Sequence, residues 1–154
     1  MTTPVAIDLA AMPPDQAYHF LMSAIVPRPI GLVTTVDGNG VVNAAPFSSL
    51  VALSPDPPMV GFVVGGWEGR TKDTLRNLRG SGDFVVNVVT AQDVELVRRC
   101  GEPLAPGESE IADRGILAAS EAVRPPRLRR APVALECRLD RLVPFGAAPD
   151  HLVA

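Results

Sequence analysis

The chain has 154 residues, of which 47% are hydrophobic and 20% are charged. This length and composition predict one globular domain, spanning residues 1–154, with a real hydrophobic core. The net charge of −3 leaves no broad positive face and argues against nucleic acid as a main partner. No apolar run reaches the roughly 20 residues of a membrane helix, and no secretion signal is evident, so we expect a cytoplasmic protein without a membrane partner.

The two cysteines, Cys100 and Cys137, lie far apart and lack the spacing of metal ligands. Isolated thiols of this kind are typical of buried free cysteines in a reducing compartment. We therefore expect no metal site at these positions.

The first half of the chain predicts one helix and four strands. Pro13-Pro14-Asp15 is typical of a helix start, and residues 16–25 follow with amphipathic spacing. The expected apolar face of this helix consists of Tyr18, Leu21, Met22 and Ile25. Asp37-Gly38-Asn39-Gly40 predicts a hairpin turn, because Gly and Asn tolerate positive φ. Strands are expected over residues 30–36, 41–45, 48–53 and 59–64.

The second half alternates helices and strands. Helices are expected over residues 71–79, with Leu75 and Leu78 facing inward, and over 91–100, with Thr90 as the cap. Residues 101–132 contain five prolines and predict irregular structure. Strands are expected over residues 84–89 and 133–143. The apolar run 151–154 resembles a strand that has only begun, so we expect a truncated C-terminal strand.

This order of elements predicts an α+β fold that is mainly β. Consecutive hairpins with interspersed helices are typical of a small antiparallel barrel or sandwich with helices outside it. Parallel βαβ units are not the main pattern, and no linker divides the chain.

Lys72 is the single lysine of the sequence and follows Arg70 where a helix is expected to begin. Cations are unfavourable at a helix N-terminus, which already carries partial positive charge. A bound phosphate would resolve this conflict, since helix N–H groups and the hydroxyls of Thr71 and Thr74 would converge on it with the cations. The alternative is a surface helix in which Lys72 is solvated and Asp73 compensates the dipole.

A second candidate site is a run of small and polar residues after the hairpin. Small side chains let a planar ring approach the backbone closely, and the asparagine and serines supply donors and acceptors. An ordinary bend between two strands is the alternative. The run consists of Asn43, Ala44, Ala45, Pro46, Phe47, Ser48 and Ser49.

Arg28 is a third candidate, because it lies between Pro27 and Pro29 and has little backbone freedom. A guanidinium held in this way suits a phosphate or a carboxylate. It could equally be a surface cation at a helix stop. Arg124, Arg127, Arg129 and Arg130 form either a solvated loop or a site for the 2′-phosphate of NADPH.

Three runs in order carry a family resemblance: VPRPIGLVTTVDGNGVVNAAPFSSLVALSPDPPMVGFVV, GRTKDTLRNLRGSGDFVVNVV and PPRLRRAPVALECRL. Together they closely resemble the flavin reductase-like family of FMN-binding split barrels, which includes reductase components of two-component flavin monooxygenases. The resemblance covers roughly residues 15–143. It implies a six-stranded antiparallel split barrel, usually a homodimer, with FMN near the dimer interface. It also implies NADH or NADPH as co-substrate and a monooxygenase as a partner.

Carried onto this sequence, the resemblance assigns Asn43 to Ser49 to the flavin ring and ribityl chain. It assigns Arg28 to their neighbourhood and implies that Arg70, Thr71, Lys72 and Thr74 hold the phosphate. Asp73 is expected to cap the helix, since a carboxylate repels phosphate. Because the cofactor carries the hydride chemistry, no catalytic side chain is expected.

The resemblance implies a flavin reductase that passes hydride from NAD(P)H to flavin. The alternatives are a non-catalytic flavin carrier or sensor, and a remnant that lost its flavin. Family members continue past Leu152-Val153 with a further strand that helps to close the barrel and form the dimer. Trp67, which follows two glycines, either covers a bound ring or packs in the protein.

Overall fold

The computed structural model describes residues 4–66, 71–105, 108–111, 113–146 and 150–154. Within these residues the chain forms three α-helices and ten β-strands. The helices are α1 (Pro14–Ala24), α2 (Asp73–Ser81) and α3 (Val94–Cys100). The strands are β1 (Gly31–Val36), β2 (Val42–Phe47), β3 (Val51–Pro55), β4 (Pro58–Val64), β5 (Asp83–Val88), β6 (Leu117–Ala118), β7 (Arg127–Leu128), β8 (Ala134–Arg138), β9 (Leu142–Phe145) and β10 (Asp150–Val153).

Two four-stranded antiparallel sheets form the body of the described structure. Sheet one has the order β2-β1-β5-β8, and sheet two has the order β3-β4-β10-β9. The short strands β6 and β7 form a separate pair. The mainly β, antiparallel α+β prediction is therefore confirmed, although the strands are more numerous than the six expected. Among the described strands, no pairing joins the two sheets into a closed barrel.

The two inner strands of sheet one, β1 and β5, are buried on both faces. Along β1, Leu32 and Val33 are both fully buried but belong to different apolar clusters, as the alternation of side chains in a strand requires. Val33 packs with Phe62 and Phe84 between the two sheets. Leu32 packs with Leu96 of α3 on the opposite face.

An aromatic group forms the centre of the core between the sheets. The Phe62 ring centroid lies 4.7 Å from that of Phe47 and 5.7 Å from that of Phe84. Burying a phenylalanine side chain contributes about 1.5–3 kcal/mol. Leu75 and Leu78 of α2 join this cluster, so the predicted inward face of that helix is confirmed.

The prediction of a single strand over residues 133–143 is wrong. The chain forms β8 in sheet one and then β9 in sheet two. Between them, the N–H groups of Asp140 and Arg141 donate to the carbonyl oxygen of Ala154 at 2.8 and 3.1 Å, and the Leu139 N–H donates to Gly82 at 2.8 Å. Local β-propensity does not register a strand that changes sheets, because these partners are distant in sequence.

Residues 101–132, which were expected to be irregular, are attached to sheet one by hydrogen bonds with its side chains. Asn87 of β5, fully buried, donates to the Leu32 carbonyl oxygen at 2.9 Å and accepts the Leu128 N–H at 2.7 Å. The Thr34 hydroxyl donates to the Pro126 carbonyl oxygen at 2.6 Å. These bonds hold β7 against the face of the sheet.

The run 151–154 belongs to a strand paired on both sides. β10 lies between β4 and β9, and Val153 is fully buried in the core between the sheets. The expected incomplete strand is thus an inner strand of sheet two.

No helix in the described ranges is long and apolar enough to cross a membrane. Cys100 and Cys137 are both free thiols, as predicted, and burial raises the pKa of each to about 11. Cys100 is buried, whereas Cys137 is only half-buried.

Candidate functional site

The structure brings two of the predicted motifs into contact. The Asn43 side-chain amide on β2 donates to the Thr74 hydroxyl on α2 at 3.0 Å. The same amide donates to the Thr35 hydroxyl at 3.2 Å, and Asn77 donates to that hydroxyl at 3.0 Å. All four side chains are buried. The first turn of α2 is therefore fixed against β2 by a closed polar network.

The hairpin before β2 sets the register of this strand. The Asp37 carboxylate accepts the N–H groups of Asn39 and Val41, each at 2.8 Å. Gly40 has φ +83°, which glycine adopts without strain. The predicted turn is confirmed, and it places Asn43 opposite Thr35 of β1.

The N-terminus of α2 carries a half-buried cation. Lys72 occupies the N-cap position and makes no side-chain hydrogen bond to the helix. Burial lowers the pKa of the Lys72 ammonium, and the Asp150 carboxylate partly offsets this effect. Asp73 forms an ion pair with Arg76 at 2.8 Å. Within the described part of the chain, the helix start therefore combines N–H groups that lack a side-chain cap from Lys72 with a partly desolvated ammonium, which is a suitable environment for an anion.

Burial divides the predicted ring-binding run into two groups. The side chains of Asn43, Ala44 and Phe47 are buried, and Phe47 belongs to the aromatic core. The half-buried remainder consists of Ala45, Pro46, Ser48 and Ser49. Ser49 bridges to β4, where its hydroxyl accepts the Val63 N–H at 2.8 Å.

Arg28, the third sequence candidate, contacts the second candidate, the run from Asn43 to Ser49. Its Nε donates to the Ser48 hydroxyl at 3.4 Å, and its Nη1 donates to the Ile25 carbonyl at 2.9 Å and to the Met22 carbonyl. The guanidinium thus links the C-terminal end of α1 to the bend after β2. Two separate contacts therefore join the predicted motifs, Arg28 with Ser48 and Asn43 with Thr74. Of the other predicted residues, Thr71 is exposed, while Arg70 and Trp67 lie outside the described residues.

β10 contributes two polar residues that sequence reasoning did not place. The Asp150 carboxylate accepts the Gly66 N–H at 2.9 Å and thereby holds the end of the β4 segment near α2. His151 is 8% exposed, and its Nε2 lies 3.2 Å from Nη2 of Arg79. Because a guanidinium only donates, His151 Nε2 accepts this hydrogen bond.

Glu110 is a further residue that sequence reasoning missed. Its Oε2 accepts the Ala44 N–H of β2 at 2.9 Å. Burial raises the pKa of the Glu110 carboxyl, the Ala44 N–H opposes that rise, and the nearby Asp73 carboxylate adds to it. No motif in the proline-rich segment indicated this contact, which only the folded chain creates.

Within the described ranges, two of the four clustered arginines have side-chain hydrogen-bond or ion-pair partners. Arg129 donates to the carbonyl oxygens of Gly115 and Leu117 at 3.3 and 2.9 Å. Arg130 forms an ion pair with the buried Asp93 at 2.7 Å. Arg124 engages Asp83 through its backbone N–H at 3.2 Å, and its side chain is exposed.

The family model for the flavin reductase like domain matches residues 22–153. The chain belongs to the flavin reductase-like family. Among the described residues, no group of three or more His, Cys, Asp or Glu side chains is placed to hold a metal ion.

Two curated relatives of this family member are uncharacterised bacterial proteins. BH2278 of Halalkalibacterium halodurans is 44% identical over 143 residues, which cover 88% of this chain and 68% of the relative. YwrF of Bacillus subtilis is 40% identical over 129 residues, which cover 83% of this chain and 63% of the relative. The chain thus spans about two thirds of these relatives' lengths.

Solved structures show the same fold. Nitrilotriacetate monooxygenase component B from Bacillus cereus superposes with a TM-score of 0.93 and 30% identity, over 99% of this chain and 78% of that one. The 2-nitrobenzoate 2-nitroreductase NbaA of Pseudomonas fluorescens gives 0.85 and 32%, over 97% and 72%. A Shewanella frigidimarina protein with a split barrel domain gives 0.80 at 19% identity, over 94% and 72%, which confirms the split-barrel fold.

The donor set at the start of α2 fits a phosphate group such as that of a flavin nucleotide. Lys72 supplies a partly desolvated ammonium, and the uncapped N–H groups supply directed donors. Thr71 adds an exposed hydroxyl. The nearby carboxylates act against an anion, but Asp73 is already paired with Arg76.

Proposed function

We propose that this protein is an FMN-binding NAD(P)H:flavin oxidoreductase that supplies reduced flavin to a monooxygenase. The observation that carries the proposal is the Asn43–Thr74 hydrogen bond, which joins the ring-binding run to the phosphate-binding helix start. A single ligand with a ring at one end and a phosphate at the other requires both motifs in one place. Membership in the flavin reductase-like family agrees with this ligand.

The site residues divide into those that contact the flavin and those that position them. Lys72 and Thr71, with the first N–H groups of α2, bind the phosphate. Ser48 and Ser49 are half-buried at the bend after β2 and are accessible to the ribityl chain and the ring. Asn43 and Thr74 are enclosed, so they act by fixing β2 against α2.

Arg28 orients Ser48 through the 3.4 Å hydrogen bond from its Nε and stabilises the bend from the α1 side. A bound FMN supplies the hydride acceptor, and NADH or NADPH supplies the hydride. The protein aligns the two rings and excludes water. The alignment raises the rate by proximity, without acid–base catalysis.

A homodimer is part of the proposal. Among the described residues the expected apolar face of α1 stays largely uncovered, since Tyr18 is 58% and Leu21 41% exposed, and Ile25, just after the helix, is 56% exposed. Val51 and Leu53 on β3 and Val63 on β4 are also exposed, at 47%, 42% and 37%. Burying such surfaces against a second copy is favourable. Light scattering after size exclusion should give twice the chain mass of 16.2 kDa.

A monooxygenase partner is proposed from the likeness to nitrilotriacetate monooxygenase component B, which is 30% identical. A reductase in such a system must release its reduced flavin to another enzyme. The flavin is therefore proposed to be exchangeable rather than permanently held.

The deciding experiment is the absorbance spectrum of the protein mixed with FMN, before and after anaerobic addition of NADH or NADPH. Loss of the oxidised flavin bands at a catalytic rate supports the reductase. Binding of FMN without bleaching by either nucleotide favours the carrier or sensor. Absence of flavin binding contradicts the proposed function.

A further inference from the structure

Glu110 lies against the edge of sheet one that carries the proposed flavin site. β2 is the outermost strand of that sheet, and its Ala44 N–H donates to Glu110 Oε2 at 2.9 Å. The next residue, Ile111, is 2% exposed and packs in the cluster that contains Leu32 and Leu96. A buried neighbour and a direct backbone contact therefore fix the carboxylate in place.

The groups that face Glu110 come from three elements. They are the Ala44 N–H of β2, the Asp73 carboxylate of α2 and the Cys100 thiol of α3. Asp73 is paired with Arg76 at 2.8 Å, whereas Glu110 makes no ion pair among the described residues. Among the described residues, Glu110 is therefore an acidic group without an ion-pair partner.

The position of Glu110 follows from the network that joins β2 to α2. Asn43 precedes Ala44, which binds Glu110, and Thr74 follows Asp73, which acts on Glu110 electrostatically. The backbone N–H that holds the carboxylate thus lies one residue along β2 from the Asn43–Thr74 contact, which joins that strand to the helix start where the phosphate is proposed. Like charges repel, and a partly buried environment screens them weakly.

We propose that Glu110 determines ligand specificity at this site: its negative charge opposes the flavin phosphate and lowers the preference for FMN over phosphate-free riboflavin. The proposal rests on the proposed flavin-binding function. A carboxylate in this position weakens phosphate binding without altering contacts to the ring. FMN is then held loosely enough to leave once reduced, which a supplier of reduced flavin requires.

The test compares Glu110→Gln with wild type in the full chain. The glutamine oxygen still accepts the Ala44 N–H, so the substitution removes charge and retains the hydrogen bond. Dissociation constants for FMN and riboflavin are measured by flavin fluorescence from pH 5 to pH 8. Glu108→Gln is the matched control, because Glu108 is exposed and lies two residues away.

At pH 8 the Glu110→Gln protein should bind FMN about three- to tenfold more tightly than wild type, with riboflavin affinity unchanged. The difference should shrink as the pH falls, because wild-type Glu110 takes up a proton and the phosphate loses part of its charge near pH 6. Glu108→Gln should match wild type at every pH.

Two further variants keep the test decisive. Glu110→Ala is neutral and should shift the FMN-to-riboflavin ratio in the same direction, whereas Glu110→Asp keeps the charge and should retain the wild-type ratio. An unchanged ratio in the neutral variants overturns the role of Glu110 and leaves the proposed function intact. A wild-type protein that binds neither flavin overturns both.

Discussion

The side-chain amide of Asn43 donates to the hydroxyl of Thr74 at 3.0 Å, across 31 positions of sequence. Thr35 completes the contact by accepting from both Asn43 and Asn77. Buried polar groups are stabilising only when they are paired, so this network depends on all of its members. It connects the stability of the fold directly to the geometry of the proposed flavin site.

Thr74→Val should therefore lower both stability and flavin affinity. Valine matches threonine in shape but cannot accept from Asn43, whose amide then loses one of its two partners. We expect the free energy of unfolding to fall by about 1–3 kcal/mol, measured by urea denaturation. FMN affinity should fall with it, since the start of α2 is less firmly fixed.

Thr71→Val is the matched control for this change. Thr71 is exposed, so the valine should leave the unfolding free energy within about 0.5 kcal/mol of wild type. FMN should still bind less tightly, because the hydroxyl is proposed to contact the phosphate. Equal loss of stability in both variants would contradict the positioning role of Thr74.

The turn at Asp37 to Gly40 and the inward face of α2 were predictable because both depend on local chemistry. Positive φ at glycine and a helical repeat of leucines leave clear patterns in a sequence. The electrostatic conflict at Lys72 was also visible, since it needed only the start of a helix. These features position the proposed phosphate end of the site.

The contacts of Glu110 and Asp150 were not predictable in the same way. Each carboxylate binds a backbone N–H on a distant element, and no spacing rule connects Glu110 with Ala44 or Asp150 with Gly66. The division of residues 133–143 between two sheets was missed for the same reason. Its bend is fixed by Ala154, which only the folded chain brings near.

The arginines after Pro126 give a prediction about nucleotide preference. Arg130 pairs with Asp93, which is 2% exposed and whose pKa is lowered by hydrogen bonds from Thr90 and Arg130 despite its burial. Arg130→Ala should lower the unfolding free energy by about 1–2 kcal/mol. The ratio of kcat/KM for NADPH and NADH should stay unchanged, since this guanidinium has an internal role.

Arg124→Ala is the comparison, because the Arg124 side chain is exposed. It should leave stability unchanged. A selective loss of NADPH activity in Arg130→Ala, with normal thermal unfolding, would show that the ion pair is not the main role of Arg130.

Close packing in sheet two gives a prediction about Gly61. A Cβ atom at this position would lie 2.7 Å from Leu53 Cδ1 and 3.1 Å from the Val153 carbonyl oxygen. Leu53 can rotate, but the backbone of β10 cannot move without disturbing its pairing. Gly61→Ala should therefore lower the melting temperature, at a cost of about 1–3 kcal/mol. Gly38→Ala should have little effect, because no atom of the described residues lies within 4 Å of the added Cβ.

Glu110 should make stability depend on pH in a defined direction. Its pKa is raised above the ordinary value of 4.5, so the folded chain binds this proton more tightly than the unfolded chain. The resulting stability is present below pH 4.5 and is lost as pH rises through the folded pKa. Glu110→Gln should thus melt at a higher temperature than wild type at pH 8 and show little difference at pH 4, as measured by calorimetry.

The charge of Lys72 should lower the stability of the flavin-free protein while it favours binding of the phosphate. Burial lowers its pKa below the ordinary 10.5, so the protonated side chain destabilises the fold at every pH below the folded pKa. Wild-type stability should rise with pH through the window that ends at 10.5. Lys72→Met keeps the apolar stem and removes the charge. Its flavin-free protein should be at least as stable as wild type at pH 7, as measured by urea denaturation.

The same substitution should weaken FMN binding by about 10- to 100-fold, because a charge-assisted hydrogen bond contributes about 1.5–3 kcal/mol. Riboflavin lacks the phosphate and should bind Lys72→Met as well as wild type. Arg99→Met is the control for loss of an exposed cation and should leave both affinities unchanged. Equal weakening for FMN and riboflavin would place Lys72 at the ring end of the site or outside it. A selective loss for FMN, without loss of stability, identifies the start of α2 as the phosphate site.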